Sequence, residues 1–134
     1  MPELRVSDIG ASLSFWCGLL GFAVAFDRPA ARFAFLVRER LQVMLCERNG
    51  RWEPAEMSRP FGRGINLQMT VARVAPILAA LEAAGWPLYE PVKEAWYRVG
   101  AHEQGQRELM VQDPDGYLLR FAEDLGTRPP PPAR

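Results

Sequence analysis

Apolar and polar residues along the chain fall into a pattern that occurs twice. Residues 4–7 read as a short strand. Ile9, Leu13, Trp16, Cys17 and Leu20 then share one face of a helix that Asp8 can cap and Gly21 stops. Runs at about 22–27, 32–38 and 41–47 read as three further strands. The second half restarts the series with a strand over 65–71, a helix with Val74, Leu78 and Leu81 facing inward, Gly85 as its stop, and strands at about 88–97, 105–112 and 117–123. Pro76 suits this second helix because it sits in the first turn, where its missing N–H costs no intrahelical bond. At an offset of 65 residues Val6, Ile9, Leu13 and Trp16 fall on Val71, Val74, Leu78 and Leu81; further on, Val43, Leu45 and Glu47 match Leu119, Phe121 and Glu123.

This patterning predicts an α+β chain of two βαβββ modules, about 2–47 and 64–124, forming curved mixed sheets around a cleft with a helix on one face of each sheet. Asp113-Pro114-Asp115-Gly116 is the turn before the last strand, with Pro fixing φ and Gly accepting a positive one. A linker over 48–63 joins the modules; it carries Trp52 and Phe61 and reads either as a surface crossing or as a lid over a pocket. The Pro-rich tail, 125–134, is expected to be disordered.

Period-two alternation assigns the faces. Leu67, Met69 and Val71 point toward the helix and Asn66, Gln68 and Thr70 away from it; Leu119 and Phe121 go with the first set, Leu118 and Arg120 with the second. By the repeat, Gln42, Met44 and Cys46 share the side of Arg120. The helix-free side is thus mostly apolar with a few polar groups, a composition that suits a concave ligand surface and also an uncovered sheet facing water.

Composition narrows the function classes. At 134 residues the chain is one domain, and 16 basic against 16 acidic side chains, with no basic run, point away from nucleic acid and anionic membranes. No apolar segment approaches the roughly 20 residues of a membrane span, and no signal-peptide core follows Met1. Two cysteines make no disulfide framework, so a reduced, cytoplasmic protein is expected. The single histidine, His102, rules out a site needing several imidazoles from one chain; it is a weak candidate for a general acid or base, since a lone loop histidine is more often solvated. Trp96 and Tyr97 are candidates for stacking on a planar ligand, one of the two pointing inward in either register. Arg120 either faces the pocket or pairs with an acid such as Glu108. Cys17 belongs to the core, and Cys46 lacks a histidine placed to activate it.

The segment Val6-Ser7-Asp8-Ile9, Ser12, Phe15-Trp16, Leu19-Leu20-Gly21-Phe22, together with the closing Asp113-Pro114-Asp115-Gly116-Tyr117-Leu118-Leu119-Arg120-Phe121, resembles the vicinal oxygen chelate superfamily, which holds glyoxalase I, extradiol dioxygenases, fosfomycin-resistance enzymes and bleomycin resistance proteins. The resemblance covers about residues 2–124. Metal-dependent members carry His or Glu ligands at four repeat-related positions, which it places at Met1 or its neighbours, Met44, Asn66 and Arg120. None of these is a usual ligand, so no metal and no cofactor are expected.

The resemblance runs nearest to the bleomycin resistance branch. It implies a metal-free, non-catalytic homodimer that sequesters a hydrophobic or planar small molecule in a cleft lined by Phe33, Phe35, Met44, Asn66, Gln68, Trp96, Tyr97 and Arg120. The chain's neutral charge and Arg120 suit a ligand with an anionic or carbonyl group better than a cationic drug. Two alternatives stay open. One is a lyase, isomerase or dioxygenase-like enzyme using His102, Glu108 or a shifted metal set. The other is a regulatory domain whose cleft is filled by a partner's side chains.

Overall fold

In the computed structural model, which describes residues 1–132, the chain runs β1 (Glu3–Val6), α1 (Ile9–Trp16), β2 (Ala23–Arg28), β3 (Phe33–Arg38), β4 (Leu41–Glu47), β5 (Asn66–Val71), α2 (Ala75–Ala83), β6 (Glu90–Val99), β7 (His102–Gln112) and β8 (Leu118–Arg128). The βαβββ series occurs twice, as expected. The strands make two four-stranded mixed sheets, ordered β1-β4-β3-β2 and β5-β8-β7-β6. In each, the first strand runs parallel to the last and the other neighbours are antiparallel. Glu3 pairs with Met44 in one sheet and Gln68 with Arg120 in the other, so strand register obeys the repeat read from the sequence.

Hydrogen bonds obey it too. The Ile9 N–H at the start of α1 donates to Glu47 Oε1 (3.2 Å), and the Val74 N–H ahead of α2 donates to Glu123 Oε1 (2.9 Å). In both modules a carboxylate from the last strand occupies the positive end of the helix, where free N–H groups need acceptors. Asp8 adds the expected cap on α1, accepting from the Ala11 N–H at 3.1 Å.

The modules hold each other through a second equivalent pair. Asp115, in the β7–β8 turn, accepts from the Ser7 N–H (3.0 Å) and hydroxyl (2.5 Å) just past β1, and Glu39, in the β3–β4 turn, accepts from the Ala72 N–H (2.8 Å) just past β5. Each module's last turn thereby ties down the end of the other's first strand. Beneath these locks lies one continuous core. Trp16, Leu20, Leu36 and Leu45 from the first module and Ile77, Leu81, Leu109, Leu119 and Phe121 from the second are essentially without exposure, and the Phe15 and Trp86 rings meet at 4.7 Å. Each such aliphatic side chain contributes roughly 1.5–3 kcal/mol on burial.

Two boundaries differ from expectation. α1 ends at Trp16 and not Leu20, because the Leu20 and Phe22 N–H groups turn back to the Phe15 and Trp16 carbonyls as Gly21 takes φ 79°. β8 continues to Arg128, so residues 125–128, read as the start of the tail, belong to the sheet. The 11-residue β7 offers backbone partners that far, with Glu103, Gln104 and Gly105 pairing with Arg128, Thr127 and Gly126, until Pro129 brings no N–H. The rest of the predicted tail includes residues 133–134, which lie outside the described residues. Among the described residues no helix is long and apolar enough to cross a membrane.

Candidate functional site

Within one chain the helix-free faces carry Gln42, Met44, Cys46, Asn66, Gln68 and Arg120, as alternation expects, in three groups that other side chains join. In the first module Phe33, Phe35 and Met44 line a pocket of about 470 Å³ with Phe26, Cys46, Arg5 and Arg28. Phe26 and Phe35 stack at 4.8 Å between ring centroids and 17° between planes, making an aromatic floor. At the seam, Gln42 of β4 meets Asn66 and Gln68 of β5 around a cavity of about 550 Å³ that Met1 and Pro2 also border. This seam is where the two modules share one concavity.

The third group lies on the second sheet. Arg120 Nη2 and the Tyr97 hydroxyl both donate to Glu108 Oε1, at 2.6 and 2.9 Å, and Lys93 Nζ stands 3.6 Å from Oε2. Glu108 is 1% exposed, and Oε2 has no hydrogen bond among the described residues. Burial pushes this carboxyl up, but the bonds from Arg120 and Tyr97, with the charges of Arg120 and Lys93, outweigh it and hold the group below the usual carboxylate range. Of the two sequence readings of Arg120, the pairing with Glu108 is the one formed, and its charge is neutralised within the protein.

Tyr97 faces the helix-free side and its neighbour Trp96 faces the other way. The Trp96 indole lies against Gly105, where an added Cβ would stand 2.6 Å from the ring, and the Arg128 guanidinium sits 4.0 Å above it. Trp96 therefore does not join Phe33, Phe35 or Tyr97. His102 opens β7 at the tip of the β6–β7 hairpin, is exposed, and lies six residues from Glu108, roughly 20 Å along the strand. It is not brought to any of the three groups.

Sequence reasoning overlooked Phe26, Arg5, Arg28 and Lys93. Arg5 was within reach, since Leu4 and Val6 flank it as inward residues. Phe26 was not, because the β2–β3 register shifts between Val24 and Phe26 and breaks the alternation. The linker does two things: Asn49, Arg51 and Trp52 edge the first-module pocket, and the Phe61 N–H bonds to the Asp115 carbonyl while its ring packs edge-on against Tyr117.

The two ends of the recognised motif touch. Asp113 accepts from the Asp115 and Tyr117 N–H groups and, at 3.3 Å, from the Trp16 indole; the Tyr117 hydroxyl donates to the Arg5 carbonyl. Burial pushes the Asp113 carboxyl up to about 6, against the pull of its bonds from Tyr117 and Trp16 and with help from the Asp115 charge. Tyr117 is pushed up to about 12, by burial first and then by the two aspartates.

The model of the Glyoxalase/Bleomycin resistance protein/Dioxygenase superfamily matches residues 1–121, which takes in both modules. The chain belongs to this superfamily. A glyoxalase/bleomycin resistance protein/dioxygenase superfamily member from Vibrio splendidus 12B01 is 33% identical, over 92% of this chain and 95% of that one, with a TM-score of 0.44. TioX from Micromonospora sp. ML1 is 24% identical, over 93% and 98% of the two chains, with a TM-score of 0.69. Lactoylglutathione lyase from Agrobacterium tumefaciens is 19% identical, over 92% and 91%, with a TM-score of 0.60. No curated protein matches the chain.

The superfamily's metal-dependent members raise the question of a divalent ion. The four positions that the resemblance assigns to ligands do not fit one here. Met1 and Met44 offer soft neutral thioethers, Asn66 a weak amide oxygen, and Arg120 a cation already bonded to Glu108. Among the described residues no group of three or more His, Cys, Asp or Glu side chains is placed to hold a metal ion.

Proposed function

We propose that this superfamily member is a small-molecule-binding protein that sequesters a hydrophobic or planar ligand without a metal, in the manner of the bleomycin resistance proteins, as a cytoplasmic homodimer. The observation that carries this reading is the open aromatic floor of Phe26, Phe33 and Phe35 beside Met44, set in a fold whose ligand-bearing positions hold a thioether, an amide and an ion-paired guanidinium. An apolar floor with a few polar groups gives affinity through area and orientation through the polar groups. A second copy laid against the helix-free faces would cover Phe26 and Tyr97, which are large and well exposed in the single chain.

Titrating the four tryptophans with a panel of planar compounds tests it. Saturable quenching by some members is expected, from a protein of twice the chain mass by light scattering and without stoichiometric metal by elemental analysis. A flat response across the panel overturns the reading.

A further inference from the structure

The first module carries a buried cation without a hydrogen-bonded partner among the described residues. Arg5 stands between the inward-facing Leu4 and Val6 and points to the helix-free side beside Cys46. Its side chain is 9% exposed, its nearest acid is Glu3 at 3.9 Å, and the Glu53 carboxyl, held below the usual range first by its bond from Arg48, also feels its charge, but no hydrogen bond reaches the Arg5 guanidinium among the described residues. A cation taken out of water costs several kcal/mol unless a partner with good geometry offsets it. Arg5 is not sealed in, however; it lines the 470 Å³ pocket whose floor is the stacked Phe26–Phe35 pair. Arg28 and Arg51 line the same pocket, each with its guanidinium over a ring, Phe33 at 5.3 Å and Trp52 at 5.2 Å. Against these three guanidiniums the lining holds one carboxylate, Glu3. The contrast with Arg120, which Glu108 neutralises, moves the expected anion preference from the second module to the first.

We propose that this pocket receives a planar aromatic carboxylate, its ring on the Phe26–Phe35 floor and its carboxylate on Arg5, with Arg28 and Arg51 closing over it from the rim. The assignment rests on the reading of the helix-free faces as ligand-holding and names the class of ligand. The planar guanidinium fork matches a carboxylate at two points, and the anion would supply the partner that Arg5 lacks. The aromatic floor takes the ring by offset stacking. An isosteric neutral compound gains the floor alone, and a cation meets a surplus of like charge.

The test is calorimetric titration of the full chain with 2-naphthoate, 2-naphthylmethanol and 2-naphthylmethylammonium. Naphthoate is expected to bind at least about tenfold more tightly than the alcohol, with the ammonium weakest. Arg5→Met keeps the apolar stem and should bring naphthoate down to the affinity that the same variant shows for the alcohol. Arg51→Met, on the exposed linker and remote from the core, should weaken naphthoate several-fold and serves if Arg5→Met fails to fold. Equal binding of naphthoate and naphthylmethanol overturns the carboxylate assignment but leaves sequestration standing. Tight naphthoate binding that neither substitution disturbs overturns the assignment to this pocket. Absence of binding by all three overturns the assignment, and a flat response across the wider planar panel would overturn sequestration as well.

Discussion

At the residue scale, the buried carboxyls of Asp113 and Glu108 are shifted in opposite directions. Asp113, raised to about 6 from 3.8, binds a proton more readily folded than unfolded. Its contribution to stability is therefore complete below about pH 4 and is lost as pH rises through 6, a change of about 3 kcal/mol from a shift of about two units. Asp113→Asn keeps an oxygen for the Asp115 and Tyr117 N–H groups, so denaturant melts between pH 4 and 7 should show the variant gaining on the wild type as pH rises. An unchanged difference across that range would contradict the raised pKa. Glu108 behaves oppositely: its lowered pKa stabilises the fold above the unfolded value and is lost as pH falls through the folded one. Arg120→Met leaves the Glu108 charge buried with the Tyr97 hydroxyl and Lys93 as its remaining partners and is expected to cost about 2 kcal/mol, the usual loss being moderated by the partial exposure of Arg120. Adding Glu108→Leu should recover most of that loss, and a double variant no more stable than Arg120→Met would show that the pair matters for more than its charges.

At the element scale, each helix takes an acceptor from the far end of its own module, and the two helices depend on it unequally. α1 has Asp8 as well as Glu47, whereas α2 starts at Val74 with no side-chain cap of its own and relies on Glu123. Glu123→Ala should cost about 1 kcal/mol in denaturant melts, and Glu47→Ala less; the reverse order would refute the assignment. These elements were largely legible in the sequence because helix and strand periods differ and the repeat checks one half against the other, down to the matched positions of Glu47 and Glu123. What escaped reading depended on register and on pairing between distant strands. The side taken by Trp96 as against Tyr97 follows from how β6 pairs with β7, and nothing in the residues 94–99 states it. The Arg120–Glu108 pair was legible as one of two alternatives, since choosing it needs β7 and β8 aligned, and the extension of β8 to Arg128 needs a long β7 beside it. The helix-free face was legible through Gln42, Met44, Asn66 and Gln68, and its division into three groups within one chain was not.

At the scale of the whole molecule, the core that runs through both modules means that neither half is a folding unit of its own. Residues 1–56 and 57–134 expressed separately should each be unfolded by circular dichroism, and mixing them should restore the native spectrum. A half that folds alone would show that the shared core is dispensable. The locks between the modules, Ser7 to Asp115 and Ala72 to Glu39, have a further consequence. Each joins a strand end of one module to a turn of the other, and at the first of them the linker's Arg59 also donates to Ser7 Oγ and Asp115 Oδ1, at 3.3 and 3.4 Å. Two copies of the chain that traded modules would remake the Ser7–Asp115 and Ala72–Glu39 bonds, whereas the bonds from Arg59 and Phe61 to the Asp115 turn follow the path of residues 48–63, which, with the entropy of association, separates closed from exchanged forms. The balance between those forms is then a matter of mass action, set by protein concentration and by the length of the linker.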